Sequence, residues 1–349
     1  MEKVTLNYQV AVVGAGPGGF SVAITAARKG LKTIMIERNS FIGGNAAAGI
    51  PFLGFFDKHH RRLVKGFGEE VVNRFVEEGI SDGHRYCPKH QSIVCFEPDR
   101  AKNIYANMCK EAGVDVILHA EMIDACAVDG KVQYIEVAAR SKRFEICADI
   151  FVDSADGDIS YFCGAEYEKG NEKGEMQPPS ILFTVDNVDD ERFFKYLEDN
   201  PSEQGCYKME YLRHARNFSY VGLRTLYKEL REKGEWPMEI WAAIIISSPN
   251  SREYFINGPR MGGTDATDPL SITNAELLGQ EQAHKFMKVL KDHIPGFENA
   301  HISTINANSI CIREEKGEGN KQLTADDVIK GLYLMIPLRL AVINRHPRK

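Results

Sequence analysis

The sequence predicts an α/β fold in which a largely parallel sheet with a β-meander carries an inserted α+β domain. Three observations predict it. A β-branched apolar run near the N-terminus leads at once into a glycine-rich turn, an alanine-rich helix and a second short apolar run, the order of a parallel βαβ unit buried on both faces. Two later runs, 131–138 and 143–152, alternate or carry β-branched residues as meander strands do. The length of 349 residues is long for one core and suits two intertwined domains, each able to bury its own apolar interior.

Composition narrows the partners. With 43% apolar residues, 26% charged residues and a formal net charge of -6, neither disorder nor a basic nucleic-acid surface is expected, and small molecules are the expected partners. The opening MEKVTLNYQVAVVG lacks a basic segment before a secretory apolar core, so export is not expected. Eight cysteines are scattered with no CxxC pair, which fits reduced thiols in the cytoplasm. No apolar run reaches the roughly 18 residues that would span a bilayer.

Taken in order, Gln9 to Val13 reads as the first strand. Gly14-Ala15-Gly16-Pro17-Gly18-Gly19 then supplies GxGxxG spacing, and Phe20 to Lys29 reads as a helix stopped by Gly30. The first glycine permits the tight turn, the second lets a pyrophosphate approach the backbone, and the third lets helix pack on strand. The helix N-terminus then faces the phosphates. A second strand, Lys32 to Ile36, ends at Glu37, 18 positions past Gly19, where a carboxylate accepts from adenosine ribose hydroxyls and repels the 2′-phosphate of NADP. A GxGxxG alone is weak evidence, but strand, turn, helix, strand and terminal acid together specify dinucleotide binding.

After Glu37-Arg38 comes a second glycine-rich stretch, Asn39-Ser40-Phe41-Ile42-Gly43-Gly44-Asn45-Ala46-Ala47-Ala48-Gly49, which an ordinary NAD-binding domain does not need. It resembles the flavin-contacting loop of FAD-dependent oxidoreductases related to fumarate reductase flavoproteins, in which small residues let the backbone reach the cofactor. The resemblance continues through Pro51 to Asp57, Glu97-Pro98-Asp99, the helix and strand from Ala101 to Leu118, and Val152-Asp153-Ser154-Ala155-Asp156-Gly157-Asp158. That last turn lacks one residue of the family pattern and carries Ala155 where glycine is usual. Gln177-Pro178-Pro179, the stretch Arg260 to Pro269 and Ile294 to Glu298 also match in kind, so the likeness spans about residues 8–330.

The resemblance implies a Rossmann-like FAD-binding domain with an inserted substrate domain, and FAD as cofactor. Residues 1–165 are expected to form the first FAD-binding part, 166–300 the insertion, 301–330 the return, and 331–349 a divergent or truncated tail. The cofactor residues it implies are Gly14, Gly16, Pro17, Gly18, Gly19, Glu37, Arg38, Gly43, Gly44, Asn45, Ala46, Asp156, Gly157 and Asp158. In the insertion, a strand is expected at Trp241 to Ile246 and a long helix after Thr273, with Thr273 and Glu276 at capping-box spacing. The helix from about Asp99 to Ala112 puts Ile104, Tyr105, Met108 and Cys109 on one face, as core packing does.

Three side chains are candidates for catalysis. Arg313 resembles a family arginine close to the flavin, where a fixed cation stabilises negative charge; the alternative is a surface arginine paired with Glu314 or Glu315. His84 lies at a Gly-His turn and suits proton transfer near neutral pH, or is a solvated loop histidine. Arg260 faces a pocket from the insertion, or is a turn residue. His84, Cys87, His90 and Cys95 offer metal-type donors, but their spacing matches no zinc arrangement and no metal is expected. The pair His59-His60 followed by Arg61-Arg62 reads as a basic surface turn. Because the chain stops before the family's later glycine-rich strand and helix, a truncated, non-catalytic nucleotide-binding remnant stands beside the oxidoreductase reading.

Overall fold

The computed structural model describes residues 2–155, 157–165, 167–213, 217–236, 242–306, 315–317 and 341–342. Two compact units divide the chain. The first comprises Met1–Gly44, Lys102–Gly174 and Glu314–Lys349, the second Asn45–Ala101 and Glu175–Arg313. Compaction thus groups residues 45–101 with the later insertion, whereas the boundaries drawn from the sequence fall at 165 and 300.

The chain opens with strand β1 (Glu2–Val13), helix α1 (Pro17–Arg28) and strand β2 (Thr33–Ile36). Helix α1 starts three residues before the expected Phe20, because Pro17 at its first position has a backbone angle already suited to a helix. Its end is the expected one: the Gly30 N–H donates to Ala27 O at 2.8 Å, with φ +83°. Short strands β3 (Phe52–Leu53) and β4 (Ile93–Val94) flank helix α2 (Phe67–Glu77) in the second unit. Helix α3 (Pro98–Ala112) follows, with Ile104, Tyr105, Met108 and Cys109 all buried as the helical spacing predicts.

Strands β5 (Asp115–Ile117), β6 (Glu121–Val128), β7 (Lys131–Ala139) and β8 (Lys142–Asp153) continue the first unit's sheet, to which residues Ala341–Val342 add a short strand antiparallel to β8; helix α4 (Asp158–Phe162) and strand β9 (Tyr167–Lys169) follow β8 in the chain. The sheet order is β5-β2-β1-β8-β7-β6. β1 runs parallel to β2 and to β8, and β2 parallel to β5, while β6, β7 and β8 form the antiparallel meander. This is the mixed Rossmann-like sheet expected from the two hydrophobic patterns. Its core gathers Ala11, Val13, Ile34, Ile36, Ile135, Val137, Ile146 and Phe151.

The second unit is built on a five-stranded antiparallel sheet. Its elements are β10 (Leu182–Asp186), α5 (Asp190–Asp199), α6 (Met209–Arg213), β11 (Ser219–Gly222), α7 (Arg224–Glu232), β12 (Ala243–Ser247), β13 (Tyr254–Asn257), α8 (Pro269–His293) and β14 (His301–Ile305). The strand order is β11-β12-β13-β10-β14. Its core is aromatic, with Phe183, Phe193, Phe218, Tyr220, Tyr227, Trp236, Phe286 and Phe297 buried together. Each such side chain, removed from water, contributes about 1.5–3 kcal/mol.

The capping expectation for α8 needs correction. The N-cap is Asp268, whose carboxylate accepts from Leu270 N and Ser271 N, each at 3.1 Å. Thr273 lies inside the first turns and turns its Oγ1 back to Pro269 O at 2.8 Å. The Asp-Pro pair decides the start, since Pro fits the first helical position and Asp satisfies two otherwise unpaired amides. No helix among the described residues is long and apolar enough to cross a membrane.

Candidate cofactor site

The site grows from the place where β1 ends. Gly14 has φ +91° and donates its N–H to Ile36 O at 2.8 Å, tying the turn to β2. A side chain there is excluded twice, by that angle and by Ser154 O, 2.7 Å from where its Cβ would be. A Cβ on Gly19 would collide with the Gly14 carbonyl, so the third glycine brings α1 onto the strand end. Gly18 faces Ser154 Oγ, at 3.0 Å from an added Cβ.

Gly16 is different. It is the N-cap of α1, in extended backbone (φ −66°, ψ 179°), and a Cβ added to it would meet nothing within 4 Å. No side chain caps this helix start and no acid lies in its first turn; the N-cap residues of α2, α4 and α7 likewise make no side-chain cap, while α5 and α8 are capped by Asp189 and Asp268. Pro17 carries no N–H, so the amides at this helix start that could serve a ligand are those of Gly18 and Gly19.

Glu37 is 6% exposed. Its Oε2 accepts from Ala15 N at 2.8 Å, and its Oε1 from Asn39 N at 2.8 Å and Asn39 Nδ2 at 2.7 Å. The carboxylate thus braces the glycine turn, and about one of its four lone-pair sites is left. Arg38 is exposed beside it. The second glycine stretch folds back on the first: Gly43 N donates to Ala15 O at 2.8 Å, and a Cβ on Gly44 would lie 3.1 Å from Gly16 Cα.

The third segment leaves β8. Ser154 N donates to Val13 O at 2.9 Å, holding the turn after β8 beside that after β1. Gly157, with φ +91°, precedes α4, which begins at Asp158. Asp156 and Arg313 lie outside the described residues. Sequence reasoning passed over Asp153, buried at the end of β8, where its Oδ2 accepts from Ile159 N at 2.9 Å and Ser160 N at 3.2 Å. Burial raises its pKa against the pull of those amides, and Asp158 raises it further. Its signal was an acid at a parallel strand's end, the same signal that marks Glu37.

The remaining candidates belong to the second unit. Asn45 is exposed and Ala46 buried in the short turn after Gly44. His84 is half-buried between Phe55 and Phe56, with ring centroids 4.9 and 5.1 Å away. Both ring nitrogens are shielded from solvent and, among the described residues, without a hydrogen-bond partner, so His84 is not a solvated loop histidine. Burial, and then the charge of Arg62, lower its pKa. Its turn is clamped by Asn217, whose Nδ2 donates to Gly83 O and whose Oδ1 accepts from Cys95 N, both at 2.7 Å. Asn217 had no sequence signal, being more than 120 residues from both partners.

Arg260 follows β13 and is partly buried. Cys87 Sγ lies 3.5 Å from His90 Nδ1, and no group of three or more metal-type side chains gathers among the described residues. In the turn at 57–62, Asp57 accepts from His59 N at 2.8 Å and Arg61 N at 2.9 Å and pairs with the Arg61 guanidinium. Those bonds, the Arg61 amide first, pull its pKa down to about 2.

The family described as FAD dependent oxidoreductase matches residues 9–335. The chain belongs to that family. FAD is its cofactor, and the uncapped amides at α1 with the open face of Gly16 fit the cofactor's pyrophosphate. Among curated relatives, the digeranylgeranylglycerophospholipid reductase of Thermoplasma volcanium is 26% identical over 173 residues, covering 45% of this chain and 41% of that protein. Digeranylgeranylglycerophospholipid reductase 1 of Methanococcoides burtonii is 24% identical over 253 residues, 65% of this chain and 56% of the relative. The chain spans about two-fifths to just over half the length of these relatives.

Solved structures agree on the fold of this family member. A geranylgeranyl bacteriochlorophyll reductase-like protein from Thermoplasma acidophilum superposes with TM-score 0.52 at 15% identity, over 88% of this chain and 67% of the other. Aklavinone-11 hydroxylase, in a ternary complex with FAD and aklavinone, gives TM-score 0.50 at 11% identity over 90% and 55% of the two chains.

Proposed function

We propose that the protein is an enzyme that moves a hydride between a small organic substrate and bound FAD. The uncapped start of α1 beside the open face of Gly16 carries the reading, and the family match over residues 9–335 supports it. That match does not favour a non-catalytic remnant.

Bound FAD supplies the two-electron chemistry. The chain's own residues hold and shield. Gly18 and Gly19 would offer backbone amides to the pyrophosphate, Gly14, Gly16 and Pro17 would shape the turn that admits it, and the lone pair left on Glu37 would take a ribose hydroxyl. Arg38, Gly43, Gly44, Asn45, Ala46, Asp156, Gly157 and Asp158 are the further residues proposed for the cofactor. His84, whose pKa burial lowers, is the candidate for holding or passing a proton at Nδ1 or Nε2, and Arg313, outside the described residues, is the candidate cation. By function, residues 1–165 are the first FAD-binding part, 166–300 the substrate domain, 301–330 the return and 331–349 the tail. No metal role is assigned, and scattered free cysteines support a place in the reducing cytoplasm.

The test is anaerobic reoxidation of the reduced holoprotein by a panel of small organic acceptors, followed by visible absorbance. Digeranylgeranylglycerophospholipid is the first to try, because relatives carry its name. At least one acceptor is expected to reoxidise the bound flavin faster than it reoxidises free reduced FAD. Rates no faster than those of free FAD across the panel would refute the reading.

A further inference from the structure

The second unit holds a charge without a counterpart. Arg260 ends the run Asn257-Gly258-Pro259-Arg260 after β13 and is partly buried. Burial lowers its pKa, with no contribution from a charge among the described residues, yet a guanidinium stays protonated at ordinary pH. A cation taken partly out of water is costly unless it is paired. Among the described residues the side chain meets only neutral oxygens, Asn257 Oδ1 at 3.1 Å and the Pro259 carbonyl at 3.5 Å.

The amides around it are oriented as donors. Asn257 Oδ1 accepts from Arg260 Nη1 and also from Ser180 Oγ at 2.6 Å. Arginine carries no acceptor, so the oxygen must face it, and Asn257 Nδ2 is left to donate elsewhere. Gln282, 8% exposed on α8, gives its Oε1 to the Arg260 N–H at 3.0 Å, which leaves its Nε2 to donate too. The turn is fixed by Met261 N, donating to Pro179 O at 3.1 Å. Acceptors here are engaged internally, while Arg260 Nε and Nη2, Asn257 Nδ2 and Gln282 Nε2 are not.

We propose that Arg260, with Asn257 and Gln282, forms an oxyanion-binding site in the second unit that takes a carboxylate or phosphate group of a small molecule. The guanidinium fork matches both groups with two parallel N–H bonds, and the two amides add neutral donors beside it. As an anchor for the substrate the site rests on the oxidoreductase reading; as an anion site it stands without it.

Isothermal titration of the holoprotein with inorganic phosphate, and separately with acetate, at constant ionic strength in chloride, tests the site. Saturable binding of at least one ion is expected, weakened about tenfold or more in Arg260→Gln, and the ion preferred separates a phosphate from a carboxylate source. Asn257→Ala, expected to weaken binding by a smaller factor, carries the test if Arg260→Gln does not fold. Bound flavin is read in the same samples: anion binding lost while flavin stays confirms the site, and flavin lost while wild-type anion binding stays faults only the FAD reading. Wild type that binds neither ion, or variants that titrate as wild type does, would overturn the proposal.

Discussion

Glu37 and His84 are both polar groups withdrawn from water, and they differ in what surrounds them. Glu37 accepts three N–H bonds from Ala15 and Asn39, so its burial is compensated. His84 has two partnerless nitrogens between two phenylalanines. Glu37 was legible because its place depends on local spacing along one βαβ unit. The surroundings of His84 were not, because Phe55, Phe56 and Asn217 arrive from distant parts of the chain. The lowered pKa of His84 means that the unfolded chain binds this proton more readily than the folded one. The contribution of His84 to stability is therefore complete above the ordinary value of 6.5 and is lost as pH falls from 6.5 toward the lower folded value. An imidazole titration by NMR should show the His84 midpoint below 6.5; a midpoint at or above it would place the ring in water or beside an acid.

Among the elements, those specified by short-range pattern matched the sequence best. β1, β2 and the β7–β8 meander follow from β-branched runs, and α3 from its buried face. Helix starts were harder, since several residues in one stretch offer capping chemistry. At α8, Thr273 and Glu276 had the right spacing, yet Asp268 before Pro269 caps the helix five residues earlier. Asp268→Ala should lower the unfolding free energy by about 1 kcal/mol, while Thr273→Ala leaves it nearly unchanged. Chemical denaturation of both variants decides, and the reverse order would restore the Thr273 cap. At α1 no side chain caps the start, and under the proposed function the pyrophosphate takes that place.

At the scale of the whole molecule, sequence pattern gave the fold class but not the grouping of segments. Residues 45–101 pack with residues 175–313 through contacts such as Asn217 with Gly83 and Cys95. Such pairings are set by tertiary fit between distant segments, which no local periodicity encodes. The meeting of the turns proposed for the cofactor was legible for the converse reason: they are consecutive turns, Gly14 to Gly19 and Gly43 to Gly44, with the β8 end beside them.

The most direct test of the account is a fluorescence titration of FAD into apoprotein, wild type against Gly16→Val. A Cβ at Gly16 meets nothing within 4 Å among the described residues and its backbone is extended, so the variant should fold with an unchanged circular dichroism spectrum. Wild type should bind one FAD per chain, and Gly16→Val should bind it at least about tenfold more weakly, because the valine occupies the place of the pyrophosphate. A folded Gly16→Val protein that takes up FAD as tightly as wild type would contradict the central claim.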